Sequence, residues 1–171
     1  MEPLTATFQI ASAGCGDAAE LAAVAALTFP LACPPSVTAE NIAAFVDANL
    51  SAARFAEYLD DPDRAIVTAR QDGRIVGYAM LVRGDSTDTA ELSKMYVLPD
   101  RHSTGAAAAL MERALAVAAG WGVRRVWLGV NRANERAQRF YLKSGFTING
   151  TRTFRLGSGV ENDYVMTREL G

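Results

Sequence analysis

The sequence contains few of the residues that build metal centres or disulfide frameworks. Its 171 residues include two cysteines and one histidine, too few for a four-ligand zinc site or a disulfide-stabilised scaffold. Residues 1–7 carry no positive charge ahead of an apolar core. Charged residues or glycine interrupt the apolar runs before the roughly 20 residues that span a bilayer. We therefore expect no metal, a reducing cytoplasmic location, and neither secretion nor a membrane partner.

Two common nucleotide-binding fingerprints are also missing. The chain has no Gly-Lys-Ser/Thr of a Walker loop and no Gly-x-Gly-x-x-Gly of a dinucleotide fold. Basic residues are scattered through apolar segments without an aromatic-interleaved basic run, which argues against a nucleic-acid partner. Half of the residues are hydrophobic and 21% are charged, so a chain of this length is expected to form one globular domain over residues 1–171.

Charge is distributed unevenly along the chain. Residues 1–91 hold thirteen acidic and five basic residues, whereas residues 92–171 hold six acidic and twelve basic ones. Two interpretations remain open at this point. The charges either segregate on solvated helix faces, or they reflect a cationic partner for the first half and an anionic partner for the second.

Hydrophobic periodicity and turn residues predict alternating helices and strands. A first strand over residues 7–12 precedes three helices, the first of which is expected to end at Phe29-Pro30 because proline removes a helical hydrogen bond. Asp72-Gly73 predicts a hairpin. The predicted order is β, three helices, β, β, β, α, β, α, β, β, with strands over 65–70, 74–82, 90–98, 125–130, 146–156 and 163–168. This order predicts an α/β fold with a mixed sheet.

Two segments at the ends of predicted strands break the local pattern. In the first, Val97–Ala107, a strand passes through a polar loop into the N-terminus of a long helix. Backbone N–H groups of residues 103–107 would point at one small volume, where the helix dipole adds positive potential. Such a turn binds phosphate in many proteins and is a purely structural connection in others.

The second segment, Asn131–Phe146, contains a predicted amphipathic helix. Its spacing places Ala137, Phe140 and Tyr141 on one face, with Asn134 one turn earlier. Core packing is sufficient to explain Phe140.

Together these segments resemble the GNAT superfamily of acyl-CoA-dependent N-acetyltransferases. The patterns Val-x-Pro-x-x-x-x-x-Gly-x-Ala and Asn-x-x-Ala-x-x-Phe-Tyr-x-Lys-x-Gly-Phe both fall within residues 89–146. The resemblance implies a mixed, mostly antiparallel sheet of six to seven strands with helices on both faces. It also implies acetyl-CoA as cosubstrate, with its pyrophosphate held by loop amides at His102, Ser103, Thr104, Gly105, Ala106 and Ala107. His102 and Ser103 depart from the usual Gln/Arg and Gly of that loop.

A resemblance over most of the chain is to the PaiA-type bacterial polyamine N-acetyltransferases. It rests on Asn41, Phe45, Leu50, residues 55–59, Gly77-Tyr78, Tyr96-Val97, residues 127–130 and 140–146, Phe154, Gly157, Asp163 and Met166. It implies spermidine or spermine as the acceptor, a small cationic amine that suits the acidic first half. A peptide or protein amine remains an alternative acceptor, and a non-catalytic acyl-CoA-binding or sensing domain an alternative function.

The resemblance also implies catalytic roles. An amine near the lysine reference pKa of ~10.4 is almost wholly protonated at neutral pH, so attack on a thioester needs a proton acceptor. Glu91, at the start of the strand before the loop, matches the position of the family's general base, although it could be an ordinary strand-end carboxylate. Tyr141 matches the donor to the departing CoA thiolate. Neither cysteine lies in a motif, so a ping-pong route through an acyl-cysteine has no support.

The remaining assignments concern binding of the cosubstrate. The backbone at Met95 and Val97 is expected to meet the acetyl group and its oxyanion, and Asn134 the pantetheine arm. Lys143 either reaches the cofactor phosphates or is solvated, and Tyr96 is expected to pack in the core. The sequence does not set the oligomeric state, and a homodimer is compatible with it.

Overall fold

The computed structural model describes residues 8–85, 88–102 and 104–171. Within them, seven strands and five helices follow in the predicted order. The elements are β1 (Gln9–Ser12), α1 (Ala18–Ala32), α2 (Ala39–Asn49), α3 (Ala52–Asp60), β2 (Arg64–Gln71), β3 (Arg74–Arg83), β4 (Thr89–Val97), α4 (Ala106–Gly120), β5 (Arg125–Asn131), α5 (Glu135–Lys143), β6 (Thr147–Leu156) and β7 (Gly159–Glu169).

The strands form one mixed sheet in the order β1-β2-β3-β4-β5-β7-β6. Each described pair is antiparallel except β4 with β5, which run parallel. That parallel pairing covers only Thr89–Glu91 of β4. From Leu92 onwards β4 stays paired with β3 but leaves β5, so the sheet is split at its centre.

Helices cover both faces of the sheet, as the family resemblance implied. On one side, which we call the α4 face, α4 and α5 pack over a core that includes Leu110, Leu128, Phe146 and Met166. On the other side, which we call the α1 face, α1, α2 and α3 pack over Leu21, Phe55, Tyr78 and Leu156. Alternate residues of a strand therefore belong to opposite cores.

Local interactions set the starts of α2 and α3 and the turn between β2 and β3. The hydroxyls of Thr38 and Ser51 accept hydrogen bonds from backbone N–H groups of the first turns of α2 and α3, both at 3.1 Å. Asp72 and Gly73 have φ angles of 53° and 78°, the left-handed pair that a two-residue hairpin requires. The hairpin prediction is confirmed.

The prediction that Phe29-Pro30 ends the first helix is wrong. The helix runs to Ala32 with Pro30 in its last turn, where the ring removes one backbone donor and the Cys33 N–H still bonds to the Pro30 carbonyl at 3.3 Å. Phe29 is buried and stacks on Phe45, with ring centroids 4.6 Å apart. This packing outweighs the cost of a proline so close to the helix end.

The segment Cys15–Ala32 is long and apolar enough, by length and composition alone, to cross a membrane, although Asp17 and Glu20 interrupt its apolar run. In the structure Asp17 pairs with Arg70 of β2 at 2.8 Å. Leu21 and Ala25 are fully buried. The segment therefore packs on the α1 face of the sheet.

Gly77 allows β3, β4 and α4 to approach each other. A Cβ there would lie 3.0 Å from the Tyr96 carbonyl oxygen and 3.2 Å from Cδ1 of Leu110. We expect Gly77→Ala to destabilise the fold by about 1–3 kcal/mol, because overpacking forces the backbone to shift. Chemical denaturation measures the change. Gly150→Ala, whose Cβ would contact nothing within 4 Å, should leave the midpoint almost unchanged, and equal effects of the two variants would contradict this interpretation.

Candidate active site

The loop between β4 and α4 is built to present backbone amides. Gly105 has φ +91° as the N-cap of α4, a conformation that costs other residues about 1–2 kcal/mol. The first helical hydrogen bond at this end runs from the Ala109 N–H to the Gly105 carbonyl at 3.1 Å. The N–H groups of residues 106–108 therefore precede the helical series and point out of the helix end, where an anion is stabilised.

Fewer loop amides are free to bind a phosphate in the structure than the sequence predicts. The Thr104 N–H is directed at the Arg101 carbonyl at 3.3 Å, and its hydroxyl donates to the same oxygen at 2.6 Å. The Thr104 amide is therefore used within the turn, which corrects the expectation that it is free. Ser103 lies outside the described residues. Arg101 fixes the turn by donating from Nε to the Gln71 side chain at 2.6 Å.

His102 joins this loop to the open edge of β4. Its Nε2 donates to the Val97 carbonyl at 2.9 Å. The next residue, Leu98, donates its N–H to Val76 on the opposite side. Because neighbouring residues of a strand direct their peptide groups to opposite sides, the peptide groups of Val97 and Met95 face the split between β4 and β5, as the prediction for these two residues requires.

A cavity of about 340 Å³ passes through this split. On the α4 face it is lined by Met95, Val97, His102, Ala107, Asn134, Ala137, Phe140 and Tyr141. On the α1 face it is lined by Thr28, Phe29, Leu31, Cys33, Tyr96, Arg152, Phe154 and Asp163. Two molecules entering from opposite faces can therefore meet beside the unpaired edge of β4.

Helix α5 contributes two predicted residues to the cavity. The Asn134 side-chain oxygen caps the helix by accepting from the Ala137 N–H at 3.2 Å, so its amide nitrogen is the part left for a ligand. Tyr141 packs edge-on against Phe140 and Phe146. Burial raises the pKa of Tyr141 to about 12, which keeps its hydroxyl protonated and able to donate at neutral pH.

A cluster of three charged residues, which we call the Arg152 cluster, lies at the α1 face: Arg152 and Asp163 line the cavity, and Glu91 lies behind them. Nε of Arg152 donates to Oδ2 of Asp163 at 3.3 Å, and Nη1 lies 3.7 Å from Oε2 of Glu91. The guanidinium crosses β5 at Gly129, where any Cβ would collide with it. Trp127 and Phe154 hold it at 5.5 and 5.7 Å from their ring centroids.

Glu91 and Lys143 are predicted site residues that lie outside the cavity lining, as do Thr104, Gly105 and Ala106 of the loop. Glu91 lies behind Arg152 on the α1 face, because its neighbours Ala90 and Leu92 are buried on the α4 face. Lys143 is exposed in the last turn of α5 and lines a separate shallow depression with Ser144 and Arg168. The roles predicted for both stay predictions, and the structure gives Lys143 no contact with the cavity.

Sequence reasoning missed four charged residues in the cavity lining: Lys94, Arg136, Arg152 and Asp163. Burial, with a contribution from Arg64, lowers the pKa of Lys94 to about 8. Burial raises the pKa of Asp163, although Arg152 opposes this shift. The signal that could have found Arg152 and Asp163 is their facing position in a β6–β7 hairpin, which requires the strand register to be known.

Comparison with known proteins shows the family. The sequence matches the Acetyltransferase (GNAT) family over residues 32–146. An uncharacterized N-acetyltransferase of Mycobacterium tuberculosis is 75% identical over 154 residues, which cover 90% of this chain and 98% of that one. The chain belongs to the GNAT acetyltransferase family and is an N-acetyltransferase. Acetyl-CoA is accordingly its cosubstrate.

Solved structures share the whole fold at low sequence identity. The PaiA N-acetyltransferase of Thermoplasma acidophilum, determined in complex with coenzyme A, is similar with a TM-score of 0.82 and 19% identity over 95% of this chain and 99% of that one. The ribosomal-protein-S18-alanine N-acetyltransferase of Escherichia coli is similar with a TM-score of 0.73 and 20% identity over 96% and 95% of the two chains. At such identities the likeness shows the fold alone.

The loop geometry predicts the effect of a change at Gly105. We expect Gly105→Val to lower the affinity for acetyl-CoA at least tenfold, because the branched side chain strains the turn and blocks close approach of a phosphate to the helix end. Isothermal titration calorimetry measures the affinity. The matched control is Gly122→Val at the other end of α4, where φ is +82° and a Cβ would also contact nothing. Equal affinities of the two variants would remove this assignment.

The position of Tyr141 predicts a kinetic signature. Tyr141→Phe should lower kcat by about 10²-fold, because the lost hydroxyl would protonate the leaving sulfur in the transition state. The acetyl-CoA dissociation constant should change by less than twofold. Tyr164→Phe is the control, since this ring packs on the same core but stacks under Arg132 outside the cavity. A Tyr141→Phe enzyme with wild-type kcat would exclude the donor role.

Proposed function

We propose that the protein transfers the acetyl group of acetyl-CoA directly to a primary amine of a polyamine such as spermidine or spermine, in a ternary complex. The observation that carries this proposal is the cavity through the split sheet. Its α4 face opens beside the amides at the start of α4, and its α1 face opens on the Arg152 cluster. A thioester and an amine can thus approach one point from two sides.

The residues on the α4 face suit the cosubstrate. The N–H groups at the start of α4 are donors for the pyrophosphate, and the helix dipole favours its charge. The Asn134 amide and the peptide groups of Met95 and Val97 follow along the cavity, in the direction that an extended pantetheine arm would take. The Met95 and Val97 N–H groups are donors for the oxyanion that forms when the amine attacks.

Tyr141 completes the transfer in this proposal. As the carbon–sulfur bond breaks, the thiolate needs a proton, and a phenol with a pKa near 12 is neutral and able to donate. A protonated thiol is also a poorer nucleophile for the reverse reaction. The proton that the amine loses goes to a carboxylate of the Arg152 cluster and then to water.

The polyamine is proposed because of charge around the α1 face. Asp163 lines the cavity, and Glu161 lies beside it with its carboxylate accepting from Asn131 at 3.2 Å. Arg152 offsets part of this negative charge. The acidic excess of residues 1–91 adds a longer-range attraction for a multivalent cation.

A peptide amine is the second candidate. The open part of the cavity on the α1 face is apolar, with Phe29, Leu31 and Pro34 in its lining and Leu31 66% exposed. These side chains would suit the side chain of the residue at or next to a peptide N-terminus.

Location in the cytoplasm is part of the proposal. It rests on the two cysteines, Cys15 and Cys33, being free thiols.

An acceptor screen tests the proposed substrate class. Spermidine and spermine should exceed amino acids, aminoglycosides and N-terminal peptides in kcat/KM, measured by release of free thiol from acetyl-CoA. Raising salt should raise the polyamine KM more than the acetyl-CoA KM, because attraction at a distance is screened beyond ~10 Å at 0.1 M. A peptide that wins by a wide margin would replace the polyamine and leave the acetyl transfer in place.

A further inference from the structure

Asp163 is the carboxylate that the sheet places at the cavity. Strand β7 lies between β5 and β6, so Asp163 faces Asn131 on one side and Arg152 on the other. It is only 4% exposed, and its residue lines the cavity together with Tyr141. Strong burial of a carboxylate is costly unless it is paired, and here Arg152 of β6 pairs with it.

Arg152 holds this carboxylate in place without using both of its oxygens. Oδ2 of Asp163 accepts from Nε of Arg152, while the described residues show no hydrogen-bond partner for Oδ1. The guanidinium itself is fixed from three sides, by Glu91, by the rings of Trp127 and Phe154, and by the space that Gly129 leaves. Such support orients Asp163 and leaves one oxygen for a proton.

Glu91 occupies the opposite end of the same guanidinium. Its carboxylate is 3.7 Å from Nη1 of Arg152, and its residue is outside the cavity lining. An amine in the cavity would therefore reach Asp163 before it reached Glu91, which lies behind Arg152.

We propose that Asp163 is the catalytic residue that accepts the proton of the acceptor amine, and that Glu91 is a positioning residue that acts on Asp163 through Arg152. The proposal rests on the acetyl transfer of the proposed function but not on the polyamine. It assigns the general-base role to a different carboxylate from the one that the family resemblance implied.

The proton and bond changes balance with the groups present. The bound ammonium first gives one proton to Oδ1 of Asp163, directly or through one water. The free amine nitrogen then forms a bond to the acetyl carbon, and the carbon–sulfur bond breaks. The second nitrogen proton passes to water, and the thiolate takes the proton of the Tyr141 hydroxyl. Exchange with solvent then returns Asp163 to the carboxylate and Tyr141 to the phenol.

Charged and titratable groups surround Asp163 from each element packed against it. Arg152 faces it from β6, Glu161 from β7 itself and Tyr96 from β4. Cys33, the residue after α1, lies beside Tyr96 and Glu161. Burial and Glu161 raise the pKa of Asp163, and Arg152 lowers it. A carboxylate whose pKa lies above that of an ordinary aspartate accepts a proton more readily.

A pH series of three variants tests the assignment. The assay uses the primary amine that the wild type acetylates fastest, so a wrong acceptor class leaves the test valid. Asp163→Asn should lower kcat/KM for the amine by about 10²–10³-fold at pH 7. The deficit should shrink as pH rises towards the amine pKa, because the free amine then needs no base. The acetyl-CoA dissociation constant should stay within twofold of the wild-type value.

Glu91→Gln and Glu169→Gln provide the comparison. Glu91→Gln should lower kcat/KM for the amine by about tenfold or less, since Arg152 keeps its hydrogen bond to Asp163. Glu169 is also a β7 carboxylate paired with an arginine, Arg125 at 2.6 Å, but it lies far from the cavity, so its variant should keep wild-type kinetics. Asp163→Glu retains the carboxylate and should be more active than Asp163→Asn. It replaces Asp163→Asn as the test variant if the latter does not fold.

Two results would overturn the proposal. A loss in Asp163→Asn that is the same at every pH would mean that the residue is only structural. A larger, pH-dependent loss in Glu91→Gln than in Asp163→Asn would return the base role to Glu91. Failure of the proposed function gives a different result, namely a wild-type enzyme that acetylates no amine.

Discussion

The divergence of β4 from β5 is the constraint on which the site depends. These two strands pair only through Thr89–Glu91 of β4, and the lost pairing leaves the peptide groups of Met95 and Val97 without a neighbouring strand. Unpaired backbone groups inside a protein are costly. Part of that cost is offset by the loop before α4, because His102 donates a hydrogen bond to the Val97 carbonyl. A substrate in the cavity can supply partners for the remaining peptide groups.

Much of the fold could be predicted because its signals are local. Thr38 and Ser51 cap their helices, and Asp72-Gly73 turns its hairpin, through interactions within three residues. Pro30 was misjudged because burial of Phe29, a tertiary contact, outweighed a local rule. The sequence predicts that the last strand starts at residue 163, but it starts at Gly159. Residues 159–162 have no strand pattern of their own and are extended because they pair with β6.

The candidate site could be predicted where its residues lie close together in the sequence, but not where different strands contribute them. The loop and α5 could be found from motifs, because each motif lies on one segment. Asp163, Arg152 and Gly129 come from three strands, and only the register of β5, β7 and β6 brings them together. Lys143 lies two residues after Tyr141, which turns it by about 200° around the helix, so its exposure could have been anticipated from the face that Tyr141 occupies.

In the proposed function, one cavity holds both substrates and joins them through the split in the sheet. A bisubstrate analogue, in which the sulfur of CoA is linked through an acetyl bridge to the best amine acceptor, tests this most directly by calorimetry. Because the second half binds without a further loss of translational freedom, we predict an affinity at least 10²-fold higher than that of CoA. Equal affinities of the analogue and CoA would contradict the account, since the amine would then lie outside the cavity.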